Sequence, residues 1–166
     1  NSHDFAVANQ CKVQVTPLAS GDDEVASLMQ RFNSACDAHP DIARPEIMLL
    51  MHTFVAEDAA DTDRLSKDLS NFYCQFGAWF QNKKPVHQGI LEPLTVDEIA
   101  AMPQYAPDKM RQNLVIGEAD EVITRLKAYE ALGYDQYSIW IDSGLSHERK
   151  KKSLQLFIDR VMPAFL

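Results

Sequence analysis

The sequence predicts an α/β fold with parallel strands. Amphipathic helical segments alternate with short apolar runs along most of the 166 residues. Glu46 to Ala56 (EIMLLMHTFVA) is apolar almost throughout, as a parallel strand covered on both faces must be. A hydrophobic content of 46% is enough to build the core of a globular domain of this length.

Asn1 or Ser2 caps a short helix through Ala6 and Ala8. Lys12 to Leu18 (KVQVTPL) then alternates like a strand until Pro17 ends it. Val25, Leu28, Met29, Phe32 and Cys36 recur on one face of a helix that stops before Pro40. After the strand at 46–56, a long helix follows Thr62, with Leu65, Leu69, Phe72, Phe76 and Trp79 or Phe80 on one side. From Lys83 to Val115 the periodicity fails and Pro85, Pro93, Pro103 and Pro107 accumulate, so this stretch reads as an irregular insertion, a lid or mobile loop, holding one short helix behind a Thr95 to Glu98 capping box. A helix with Val122, Ile123, Leu126 and Tyr129 inward ends at Gly133, a left-handed cap. Tyr137 to Asp142 (YSIWID) is the third strand, and a final helix from Ser146 turns Leu154, Phe157, Ile158 and Val161 to one face before Pro163.

Composition narrows the function. With 24 acidic and 16 basic residues the formal charge is -8, which disfavours a nucleic-acid partner. The basic run Arg149 to Lys152 could be a phosphate or anion patch, but it lies in a helical segment whose apolar positions point elsewhere and reads as a solvated helix face. Cys11, Cys36 and Cys74 match no metal spacing and read as reduced, buried thiols, and no run approaches the roughly 18 apolar residues of a membrane span, so no membrane partner and a cytoplasmic location are expected. No GxGxxG or GxxxxGK[ST] follows a strand, leaving no basis for a Rossmann or P-loop site. Three strands make either a small open sheet or less than half of the eight needed to close a barrel.

Val115 to Asp142 (VIGEADEVITRLKAYEALGYDQYSIWID) carries a glycine, an acidic pair, a glycine-ended helix and a strand. With Gly144 to Glu148 (GLSHE), Leu154 to Phe157 (LQLF) and Val161 to Phe165 (VMPAF), it resembles the last β/α repeat of the luciferase-like, flavin-dependent monooxygenases. Ser2 to Ala6 before Lys12 to Val15, and Phe54 to Glu57 (FVAE), resemble earlier segments of that family. The resemblance implies the carboxyl-terminal half of one (β/α)8 TIM-barrel domain, residues 1–166, with an insertion at about 83–115. It implies a missing amino-terminal half and a small-molecule substrate oxygenated with O2 by a reduced flavin, usually FMN, supplied by a flavin reductase. Some relatives use the deazaflavin F420 and transfer hydride. A different reading is a non-catalytic fragment that self-associates, and a homo-oligomer is expected.

For the site, Asn1, Ser2 and His3 at a helix start offer either plain capping or, as the family implies, a flavin-phosphate cradle. His52 near the strand end is either a packed core histidine or a side chain at the barrel mouth. Asp142, Ser143 and His147 stand after the last strand, where barrel enzymes place their chemistry, and otherwise form a turn and a cap. His147 is the acid–base candidate among them. Trp140 stacks on a flavin ring or serves the core, and Arg111 matches the region of a loop arginine that closes over flavin in some relatives. No metal is expected.

Overall fold

The computed structural model describes residues 2–166. Asn1, expected at the phosphate end, lies outside the described residues. The chain runs α1 (Ser2–Ala8), β1 (Val13–Val15), α2 (Asp22–Asp37), β2 (Ile47–Val55), α3 (Ala59–Phe80), β3 (Val86–His87), β4 (Ile90–Leu91), α4 (Val96–Ala100), a 3-10 turn (Pro103–Tyr105), α5 (Pro107–Asn113), β5 (Val115–Gly117), α6 (Ala119–Leu132), β6 (Gln136–Trp140) and α7 (His147–Leu156). The end is a π turn (Phe157–Val161) and a 3-10 turn (Met162–Phe165).

β2 is the centre of a parallel sheet. It pairs with β1 from Val13↔Ile47 and with β6 from Met48↔Gln136 to His52↔Trp140, so β1 and β6, which share Met48 and Leu49 as partners, take its two edges. β5 pairs with its end, Thr53↔Val115 to Val55↔Gly117. The strands at 12–18 and 137–142 are shorter or shifted, because Leu18 turns to positive φ and Asp135 already bonds to Ile47.

The side chains of β2 divide by the two-residue period of a strand. Ile47, Leu49, Met51 and Val55 join Val7, Val25, Phe32, Val122, Leu126 and Val161 in one core, so α1, α2 and α6 all cover the same face of the sheet. A doubly wound open sheet would place helices on both faces, whereas a barrel keeps them on one. Phe54 instead joins Leu65, Leu69 and Tyr73 of α3, Met110 of α5 and Leu145 in a second core. α3 and α5 therefore form a roof over the carboxyl end of β2 and over β5.

Several expectations need correction. Trp79 and Phe80 are exposed, because the buried side of α3 runs through Leu65, Leu69, Tyr73, Cys74 and Ala78. The stretch 83–115 is more ordered than its prolines imply: it holds the β3–β4 hairpin, α4 with the expected Thr95/Glu98 capping box, and α5. Cys11 is exposed, since it lies past the end of α1, and Cys36 is only half-buried. Ile158 is exposed because the π turn shifts the helical phase after Leu156, which leaves Val161 as the buried anchor. Of the basic run only Arg149 leaves the solvated face outright, pairing with the buried carboxylate of Asp61; Lys151 and Lys152 are exposed as expected, with Lys152 paired to Glu57 and Lys150 to Asp142 at the surface.

Candidate functional site

His52 is the last β2 residue paired with β6, on the face away from α2 and α6. It is 1% exposed and both ring nitrogens are engaged. Nε2 lies 2.9 Å from the Asp142 carbonyl, which can only accept, so Nε2 carries the proton. Nδ1 then accepts from the Tyr73 hydroxyl at 2.7 Å. Burial lowers the His52 pKa to about 4, and the bond to the Asp142 carbonyl only partly offsets this. Burial likewise raises the Tyr73 phenol, which keeps it a donor. The imidazole is thus neutral, and one roof helix, one strand end and one loop are tied through it.

Around it lies an aromatic floor and wall. Trp140 stacks on the imidazole at 4.0 Å, Phe54 continues the stack at 6.5 Å, and Phe72 and Tyr73 meet it edge-on at 5.5 and 5.3 Å. Phe76 stacks on Phe72, and Tyr105 closes on Tyr73 from the 3-10 turn. The next loop begins at once: Asp142 gives its carbonyl to His52 and its carboxylate to Lys150 at 3.2 Å, and Ser143 is buried. Ser146 caps α7 by accepting from the Arg149 N–H, which leaves His147 exposed in its first turn.

Ser2 and His3 line a separate cavity of about 390 Å3 with Gln14 of β1, Thr16 just past it and Arg31 of α2. Burial, then the Arg31 charge, lowers the His3 pKa, so a second cation is disfavoured here, and Arg31 itself is held by Glu24 and Ser27, each at 2.6 Å. Arg111 is not with these groups. It sits on helix α5, not on a loop, in a hollow with Val122 and Arg125, and faces Asp63 at 3.7 Å and Glu121 at 3.6 Å. The structure therefore gathers His52, Trp140, Asp142 and Ser143 at one mouth, with Ser2 and His3 beside β1. Sequence reasoning missed Tyr73, Arg31 and Arg149 as site residues: Tyr73 and Arg149 are helix residues whose partners lie more than ten residues away, and Arg31, bonded to Glu24 and Ser27 of its own helix, reaches the Ser2 and His3 cavity only through the packing of α1 on α2.

The sequence profile described as luciferase-like monooxygenase matches residues 6–136. Over 165 residues, 99% of this chain, the sequence is 59% identical to the oxygenase component of the flavin-dependent trigonelline monooxygenase of Acinetobacter baylyi. The chain spans 46% of that relative's length. Among solved structures, a monooxygenase from Streptomyces bottropensis superposes with a TM-score of 0.66 at 16% identity, covering 99% of this chain and 45% of that one. An F420-dependent secondary alcohol dehydrogenase gives 0.58 at 14% (92% of this chain, 43% of that one), and the EDTA monooxygenase of a Chelativorans species gives 0.53 at 13% (97% and 43%). At these identities the likeness shows the fold alone, which is that of part of a (β/α)8 barrel.

Proposed function

Because this chain belongs to the luciferase-like monooxygenase family, we propose that it forms the carboxyl-terminal half of the oxygenase component of a flavin-dependent monooxygenase. FMN is its flavin, a separate reductase supplies the reduced form, and the cytoplasm is its location. The proposed substrate class is an N-methylated pyridine carboxylate such as trigonelline. The observation that carries this reading is the 59% identity, which extends over 99% of the chain and so includes the aromatic mouth.

The residues present fit such a cofactor. Trp140 offers an aromatic surface at the end of β6, and Ser2, His3 and Arg31 offer hydroxyl and cationic partners at the end of β1 for a phosphate. β1 and β6 flank β2, so the two ends lie about 10 Å apart across the sheet, a span that a ribityl chain bridges. When bound, the reduced flavin supplies the activation of O2 and the transfer of one oxygen atom. The chain's part is to bind and exclude water. His52, with both nitrogens engaged, acts as a positioning residue that fixes the Asp142 carbonyl and the roof helix, and the aromatic roof keeps solvent out. His147 and Arg111 lie outside this constellation, and in this reading they reach it only if the loop after β6 or the roof closes further.

The test is turnover of the oxygenase containing this segment, given reduced FMN, trigonelline and isotopically labelled O2. One labelled oxygen atom in the product is expected. Substrate oxidation without label, or only with a reduced deazaflavin, would favour hydride transfer instead and overturn the proposal.

A further inference from the structure

A hollow of about 440 Å3 lies between α3 and the turn from β6 into α7, lined in part by Asp68, Phe72, Gln75, Ser143, Ser146 and Arg149. Its volume is in the range of small-molecule sites, roughly 300 to 1,000 Å3. The deep residues hold donors that the protein does not use. Ser143 is 1% exposed, and among the described residues its hydroxyl has only the Ile141 carbonyl as acceptor, at 3.5 Å, beyond the ordinary range of such bonds. Arg149 gives Nη2 to Asp61 and to the Val55 carbonyl, while Nη1 is buried without a hydrogen-bond partner. A guanidinium N–H in that state is costly unless something accepts from it. Gln75 accepts from the Leu94 N–H through its amide oxygen, which leaves its NH2 group as a further donor.

The outer side has the opposite character, with the ring of Phe72 as a wall and the exposed carboxylate of Asp68 at the rim. Arg149 pairs with Asp61, which also faces Arg64 at 3.4 Å, so the exposed Asp68 is the carboxylate of this hollow that has no ion-pair partner among the described residues. The carboxylate of Asp68 at the rim disfavours a plain anion there and suits a ligand that brings its own cation. Donors suited to a carboxylate lie deep, and groups suited to a cationic ring lie shallow.

We propose that this hollow is the substrate subsite and takes a small zwitterionic aromatic acid. The carboxylate accepts from the Ser143 hydroxyl and from Arg149, whose Nη1 turns toward it, and the positively charged ring lies on Phe72 with Asp68 at its edge. Ser143, expected at the flavin, thereby serves the substrate. The identity of the ligand rests on the function proposed above, but the hollow is built wholly from this chain and needs no flavin.

Equilibrium dialysis of the 166-residue chain, which tolerates self-association, tests this with three probes: 1-methylpyridinium-3-carboxylate, pyridine-3-carboxylate and 1-methylpyridinium-3-carboxamide. The zwitterion is expected to bind saturably and each analogue at least about tenfold more weakly, because each lacks one of the two charges. Ser143→Ala is expected to weaken the zwitterion about tenfold and leave the carboxamide unchanged. Asp68→Asn, at the exposed rim, tests the cation end without disturbing the core and is expected to weaken the zwitterion more than the plain carboxylate. No saturable binding, equal affinity for the acid and its amide, or indifference to Ser143→Ala overturns the subsite. Selective binding without labelled product in the turnover assay leaves the subsite standing and retires the proposed function, whereas labelled product with indifference to Ser143→Ala retires the subsite alone.

Discussion

His52 couples stability to pH. Its folded-state pKa is about 4 against an ordinary 6.5. Above pH 6.5 neither state holds the proton. Between 6.5 and about 4 the unfolded chain binds it and the native chain does not, so stability falls as pH falls through that window. The difference is worth roughly 3 kcal/mol when complete. Urea unfolding at pH 7.5 and 4.5 should show a loss of that order, and His52→Gln should flatten it; an unchanged pH dependence in the variant would show that His52 does not cause it. Tyr73→Phe removes the donor to Nδ1 and should cost about 1 to 3 kcal/mol at neutral pH. Sequence placed His52 at a strand end and left its role open between core and mouth. The structure gives it both surroundings, and its partner was unreadable because helical spacing puts Tyr73 on the buried row after Leu65 and Leu69 without saying which strand residue it meets.

Ser153 shows how the last helix is fixed to the sheet. Its hydroxyl, buried in α7, accepts from the Val55 N–H at 2.7 Å, where β2 ends. Ser153→Ala should orphan that buried amide and cost about 1 to 3 kcal/mol, measured as a shift in the urea midpoint; a cost under roughly 0.5 kcal/mol would mean that another acceptor replaces it. The strongly periodic elements were legible: the apolar run gave β2, the i, i+3, i+4 pattern gave α2, and Gly133 at φ 102 closes α6 as its position implied. β5 was not, because its three residues are too short for alternation to register and only its pairing with Thr53 to Val55 makes it a strand. Nor was the side of the sheet on which α3 packs, since an amphipathic stripe states that a helix is half-buried and not against what.

At the scale of the molecule, the sheet is unfinished. β1 and β6 each use one edge on β2, and among the described residues no strand pairs with their outer edges. On the face away from α2 and α6, Met48 and Leu50 are only half-buried and the roof covers just the carboxyl end. Open edges and apolar area, at roughly 25 cal/mol per Å2, drive association. That the strands form a section of a barrel was legible from the resemblance and not from periodicity, which equally allowed a small open sheet; the likeness to solved barrel structures decides it. Sedimentation of the pure chain with FMN titration tests the central claim, that this segment is one part of a flavin-binding barrel. Self-association and no micromolar FMN binding are expected, because the proposed phosphate corner at Ser2 and ring surface at Trp140 lack the remaining strands; a stable monomer that binds FMN in the micromolar range would contradict that claim.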